Sequence, residues 1–456
     1  MLCFSRNKAA FNAHYYKSNM RQQLLASGAS ELSYEIRGIV KKAHELQQLG
    51  LDILWENIGD PVQKNAVLPH WMKKIITELV RENDVYGYCD SRGVPETRQF
   101  LARKTNERQG CQITGDDILF FNGLGDAISK VYQYIHPTSR IIGPSPSYST
   151  HSSAEATHAS HHPVTYRLDP ENHWYPDMED LYNKIRYNPA IVGILIINPD
   201  NPTGMVYPKE ILHQMVEIAR EFNLFIIADE IYLNITYNGA VAHPISQLIG
   251  RVPALALRGI SKELPWPGAR CGWVEFYNRQ ADDDFNRYCK ALEDAKMIEV
   301  CSTKLPQLAI PKIMSDPRYD NYRKEKNYKI GKRSEIIASL LSDVPGIRFN
   351  KTYGAFYNTI IFREGTLKRN PPVFMLDTYV RDVFERWMNE EPDMPADKQF
   401  VYYLLASKGV CVVPLSSFCS DLEGFRVTLL EENEDLLVET FTKIREAILE
   451  CSEGPI

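Results

Sequence analysis

Short apolar runs that stop abruptly in polar residues recur along the chain. Leu224-Phe-Ile-Ile-Ala-Asp-Glu-Ile-Tyr232 and Ala254-Leu-Ala-Leu-Arg-Gly-Ile-Ser-Lys262 each begin as a run too brief for a buried helix and end in charged or hydroxyl residues. That is the pattern of parallel strands buried on both faces. Ala190 to Ile197 is a third such run, and Ile211, Leu212, Met215, Ile218 and Phe222 follow it at helical spacing behind Pro208. Strand, helix and strand then make a βαβ unit. The predicted fold class is α/β, with a mostly parallel central sheet flanked by helices.

Other stretches extend the pattern. Residues 18–50 read as one helix stopped by Gly50, with further helices over 281–297 and 318–341. Residues 117–121 lead through a glycine turn into a helix, and Ile141 to Tyr148 is a strand entering a Pro-rich turn. Arg363 to Gln399 is polar and proline-punctuated, so it reads as an insertion or flexible lobe.

Composition narrows the class without choosing a function. A chain of 456 residues exceeds one typical core, so two or more domains are expected. Its 44% hydrophobic and 24% charged content is that of an ordinary globular protein, and a net charge of −6 argues against a general nucleic-acid surface. No apolar run is long enough to cross a bilayer. Nine scattered cysteines without a CxxC pair suggest neither disulfides nor zinc, and point to a cytoplasmic protein. Histidines 151, 158, 161 and 162 lack spaced acid or thiol partners, so they read as a solvated loop. Residues 1–30 hold Arg6, Lys8, Lys17 and Arg21 and no acid, faintly like a transit peptide. A surface arm packed on a partner subunit is the plainer reading.

The chemistry lies where the strands stop. Ligands of open α/β sheets gather at the carboxyl edge. There Asp229 and Tyr232 follow one strand, Ser261 and Lys262 the next, and Arg270 the loop beyond. An amine, an acid, a phenol and a guanidinium suit pyridoxal 5'-phosphate (PLP). The amine forms a Schiff base with the aldehyde, the acid keeps the pyridine nitrogen protonated, the phenol bonds the ring oxygen and the guanidinium pairs with the phosphate. Gly123, Leu124 and Gly125 offer backbone N–H groups at a helix start, a weak phosphate signal by itself.

Asp229…Tyr232, Ser261-Lys262…Arg270 and Asn198-Pro-Asp-Asn-Pro-Thr-Gly204 together resemble the class I/II, fold-type I PLP-dependent aminotransferases, from about Gly59 to Asn433. The resemblance implies a large PLP-binding domain over 62–300. It also implies a smaller α/β domain over 301–456, carrying the insertion near 363–399, with residues 1–61 an N-terminal arm and part of that smaller domain. By the same likeness Gly123, Leu124 and Gly125 cradle the phosphate, Tyr148 stacks on the ring and Asn201 bonds its oxygen. Arg426 grips the substrate α-carboxylate, and Gly59, in Ile58-Gly-Asp-Pro61, offers it a backbone amide. Tyr88, five residues before Gly93, matches the tyrosine that reaches a neighbouring subunit's phosphate, which implies a homodimer with shared active sites. For each of Gly59, Tyr88, Tyr148 and Arg426 a plain structural role is the alternative.

The sequence departs from the pattern at Gly259, where a Ser or Thr is common, and at the missing hydroxyl residue of the glycine turn. Phosphate grip then falls more on Ser261, Arg270 and backbone amides. The implied function is transfer of an amino group from an α-amino acid to a 2-oxo acid through Lys262, with no metal, nucleic acid or membrane involved. The alternatives are a PLP-dependent lyase performing C–S β-elimination on the same fold, and a non-catalytic PLP-sensing regulator, which would need a DNA-binding module.

Overall fold

The structure is a computed structural model, which describes residues 25, 27–31, 36–367, 371–373 and 376–452. Most of the basic N-terminal stretch lies outside the described residues. Its centre is an eight-stranded sheet of β1 (Ile118–Phe121), β2 (Arg140–Ser145), β3 (Thr165–Asp169), β4 (Tyr175–Pro176), β5 (Ile191–Ile197), β6 (Phe225–Asp229), β7 (Ala254–Gly259) and β8 (Gly272–Tyr277), in the order β1-β8-β7-β6-β5-β2-β3-β4. Strands β3, β2, β5, β6 and β7 are parallel, while β8 runs antiparallel to both of its neighbours. The α/β class expected from the sequence holds.

Side-chain alternation explains why both faces are covered. Ile194, Ile196, Ile226 and Ala256 belong to one apolar cluster, and Leu195, Ile197, Ile227 and Leu257 to another on the opposite face. Helix Lys209–Glu221 seals the first with Leu212, Met215 and Ala219. Helices α1 (Leu124–Gln133) and, further along, Asp283–Glu299 seal the second.

A second sheet of β9 (Ile347–Phe349), β10 (Tyr357–Phe362), β11 (Val413–Pro414) and β12 (Gly424–Thr428) is wholly antiparallel, in the order β9-β10-β12-β11. Its core draws in Ile39, Ala43 and Leu46 from helix Ile36–Gln48 and Phe441, Ile444 and Ile448 from Glu434–Cys451. Helices Ile36–Gln48 and Glu434–Cys451, from opposite ends of the sequence, therefore meet in the smaller lobe.

Three local expectations need correction. The single helix expected over 18–50 is interrupted: Ser27–Glu31 is a 3-10 turn and the α-helix starts at Ile36, residues 18–24 and 32–35 lying outside the described residues. The polar segment 363–399 is not a loose lobe. Helices Thr378–Glu390 and Ala396–Lys408 cross it, burying Phe384 and Trp387 in the smaller core. Three or four apolar residues per two turns suffice for that, so a low average hydrophobicity concealed an amphipathic face. The histidine-rich stretch is an exposed loop only at His161 and His162, because α2 (Ser149–Ala159) contains His151 and His158, and His151 is 1% exposed.

Candidate active site

Strands, helix starts and loops of both lobes converge on one cavity of about 510 Å³. Among the residues singled out in the sequence, Gly59, Leu124, Gly125, Tyr148, Asn201, Asp229, Tyr232, Ser261, Lys262, Arg270 and Arg426 all line it. Gly123 sits just behind, as N-cap of α1 with φ +87°. A side chain there would strike the Arg270 guanidinium, so the glycine allows Arg270 to close over a helix N-terminus. Tyr88 stands apart, 82% exposed.

Asp229 ends β6 and is buried, 3% exposed. Its Oδ1 accepts from the N–H of Ile231 at 3.1 Å, and its Oδ2 lies 3.0 Å from His151 Nε2. His151 Nδ1 faces the Tyr132 hydroxyl at 3.4 Å. A buried carboxylate held from both sides keeps one orientation, and the histidine does the holding. His151 carries a role that the sequence reading gave to solvent. The available signal was its position: His151 lies three residues after Tyr148, on the same helical face as a lining residue.

The Lys262 ammonium donates to the Gly59 carbonyl at 2.7 Å. Gly59 was expected to offer an amide to a carboxylate, whereas here its carbonyl holds the amine. A Cβ on residue 59 would collide with the Tyr357 hydroxyl, which accounts for the glycine. Gly259 has a similar cause, since a Cβ there would lie 3.0 Å from the Cys271 carbonyl oxygen.

Arg426, in β12, is 3% exposed and anchored by Nη1 to Asn201 Oδ1 at 3.3 Å and by Nη2 to the Asn57 carbonyl at 2.5 Å. The rings of Tyr357 and Phe418 flank it at 4.4 and 4.9 Å. Its Nε is buried and has no hydrogen-bond partner among the described residues, so the guanidinium keeps a donor in reserve. Tyr357 also receives the Tyr232 hydroxyl at 3.2 Å. Burial, and then the neighbouring Tyr357, raise the Tyr232 phenol well above its usual range. Tyr357 and Asn57 belong to no motif of the sequence, and only the packing of the smaller lobe brings them here.

The donor set fits PLP. An amine and a buried acid face one cavity, Arg270 and a helix N-terminus offer an anion site at one end, and Arg426 offers a second at the other. Two anion sites around an amine accommodate a cofactor phosphate and a substrate carboxylate together. Among the described residues no cluster could hold a metal ion.

Residues 53–439 match the family model described as aminotransferase class I and II. An aminotransferase of Methanocaldococcus jannaschii, itself described as uncharacterized, is 52% identical over 94% of this chain and 99% of its own. The glutamate-pyruvate aminotransferase AlaA of Escherichia coli is 31% identical over 73% of this chain and 81% of its own. The structure of an alanine aminotransferase from Pyrococcus furiosus superposes with a TM-score of 0.81 at 28% identity, covering 93% of this chain and all of that one.

Proposed function

The chain belongs to the class I and II aminotransferases, and from that premise we propose that Lys262, Asp229, Tyr232 and Arg426 carry its reaction around a bound pyridoxal phosphate. It is a transaminase, and the relatives' names favour amino transfer over β-elimination on the same scaffold. Bound, the cofactor supplies an electron sink for the charge left when a substrate Cα proton is removed. The observation that carries the assignment is the single cavity joining Lys262, Asp229, Arg270 and Arg426.

In this reading Arg426 grips the α-carboxylate through the in-plane N–H groups of its planar fork, its faces being flanked by Tyr357 and Phe418. Lys262 would hold the cofactor through its amine and, once released, its Nζ would accept the substrate Cα proton and give it back during amino transfer. Asp229, fixed by His151, keeps the ring nitrogen protonated before charge develops. Tyr232 and Asn201 hold the ring oxygen, Tyr148 covers the ring, and Arg270, Ser261, Gly123, Leu124 and Gly125 take the phosphate.

The substrate proposed is an α-amino acid whose 2-oxo partner is small, such as pyruvate. Relatives named for alanine, and for glutamate with pyruvate, support this. So does the lining: its described cations are Lys262, Arg270 and Arg426, and the remaining wall includes Val40, Ile58, Asp60 and Gln63. The reading extends to a homodimer. Tyr86, Tyr88, Met297, Ile298 and Val300 are all exposed, and Cys89 Sγ bonding the Ser302 carbonyl at 3.8 Å holds their two segments side by side. Apolar side chains gathered in this way mark an interface. A cytoplasmic location accords with the described cysteines all being free.

The test is chemical. Borohydride fixes the cofactor onto the parent chain at Lys262, and the Lys262→Ala variant shows no fixation and no amino transfer. Cofactor fixed to that variant would overturn the assignment.

A further inference from the structure

Helix α3 (Tyr319–Leu341) spans both lobes: Tyr319 packs against the larger core, while Ile330, Ile337 and Leu341 belong to the smaller one. About a third of the way along it, Lys326 turns toward the loop after β7. Its Nζ donates to the main-chain oxygen of Lys262 at 2.6 Å and to that of Glu263 at 2.8 Å. Among the described residues neither oxygen accepts a loop main-chain hydrogen bond, so Lys326 satisfies both. The adjacent Asn327 donates Nδ2 to the Asn234 carbonyl at 2.9 Å, and Asn234 Nδ2 donates to Glu263 at 2.8 Å. Tyr319 donates to the other oxygen of Glu263. One helix thus ties the loop bearing Asp229 and Tyr232 to the loop bearing Lys262.

A lysine is a costly way to fill this space. Lys326 is half-buried, and burial of its ammonium pushes it down to about 8, Glu263 pulling upward and Lys262 pushing further down. An apolar side chain would pack without that cost but would leave two carbonyls unsatisfied. We propose that Lys326, with Asn327 beside it, is a positioning residue for amino transfer, one that immobilises the main chain from which Lys262 reaches the substrate. The proposal rests on Lys262 being the reacting amine. That amine must leave one partner, carry a proton and return, so the backbone beneath it has to stay fixed while the side chain moves. Misplacing a reacting group by 1 Å costs about 100-fold in rate.

The test compares Lys326→Met, Lys326→Arg and Asn327→Ala with the parent. For Lys326→Met the expected result is a kcat lowered about 10- to 100-fold, with KM for the amino acid changed by less than about twofold, since Arg426 is untouched. In cofactor-free protein, amide hydrogen exchange within residues 260–264 quickens while β7 keeps its protection. Lys326→Arg restores part of kcat, and Asn327→Ala shows a weaker form of the same split. Unchanged kcat, unchanged exchange in that segment, or a parallel fall of kcat, KM and thermal midpoint without rescue by arginine would overturn it. Borohydride fixation at Lys262 in the parent reads out the role of that amine separately.

Discussion

At the scale of single residues, the site depends on groups whose surroundings differ from their neighbours in the sequence. Asp200, between Pro199 and Asn201, is 0% exposed, and its Oδ2 accepts from the Thr203 N–H at 3.1 Å and hydroxyl at 2.5 Å. Burial pushes its carboxyl up to about 7, against the pull of those bonds. Because the folded value lies above the unfolded one, the folded state holds the proton between about pH 4 and 7. The stability this gives is complete below the unfolded value and is lost as pH rises through 7. Asp200→Asn, unfolded by urea without cofactor, should lack a slope on the order of 4 kcal/mol that the parent shows across that window. Equal slopes would contradict it. His151 teaches the complementary lesson: a histidine beside three others looked solvated, and only the fold set its ring against Asp229.

At the scale of elements, the turn after β5 joins the two lobes. Gly204 has φ +73°, and its carbonyl accepts the N–H groups of Tyr353 and Gly354, each at 2.9 Å. An added Cβ would run into the Tyr357 carbonyl oxygen. Gly204→Ala should therefore cost about 2 kcal/mol or more in urea unfolding and weaken substrate binding, because the Tyr357 that it displaces flanks Arg426. The strands were legible because a strand buried on both faces is apolar throughout and stops where its side chains meet the cavity. The helix Thr378–Glu390 was not, because it buries one face only, through Val380, Phe384 and Trp387, and prolines flank it.

At the scale of the whole molecule, the cavity draws Gly59, Lys262 and Arg426 from three distant parts of the chain into one lining. The exposed patch around Ile298, itself 86% exposed, adds a question of assembly. Ile298→Glu should shift sedimentation toward the monomer and lower activity at low protein concentration, whereas an unchanged mass would count against the homodimer. By itself the sequence determined the sheet, the strand-end chemistry and the family, since those depend on apolar periodicity and on motifs a few residues long. The tertiary structure alone decided that His151 bonds Asp229, that Tyr357 flanks Arg426 and that Lys326 bonds the main chain of Lys262 and Glu263. Each of these contacts joins residues far apart in the chain, and no local pattern records which distant atom a side chain will meet.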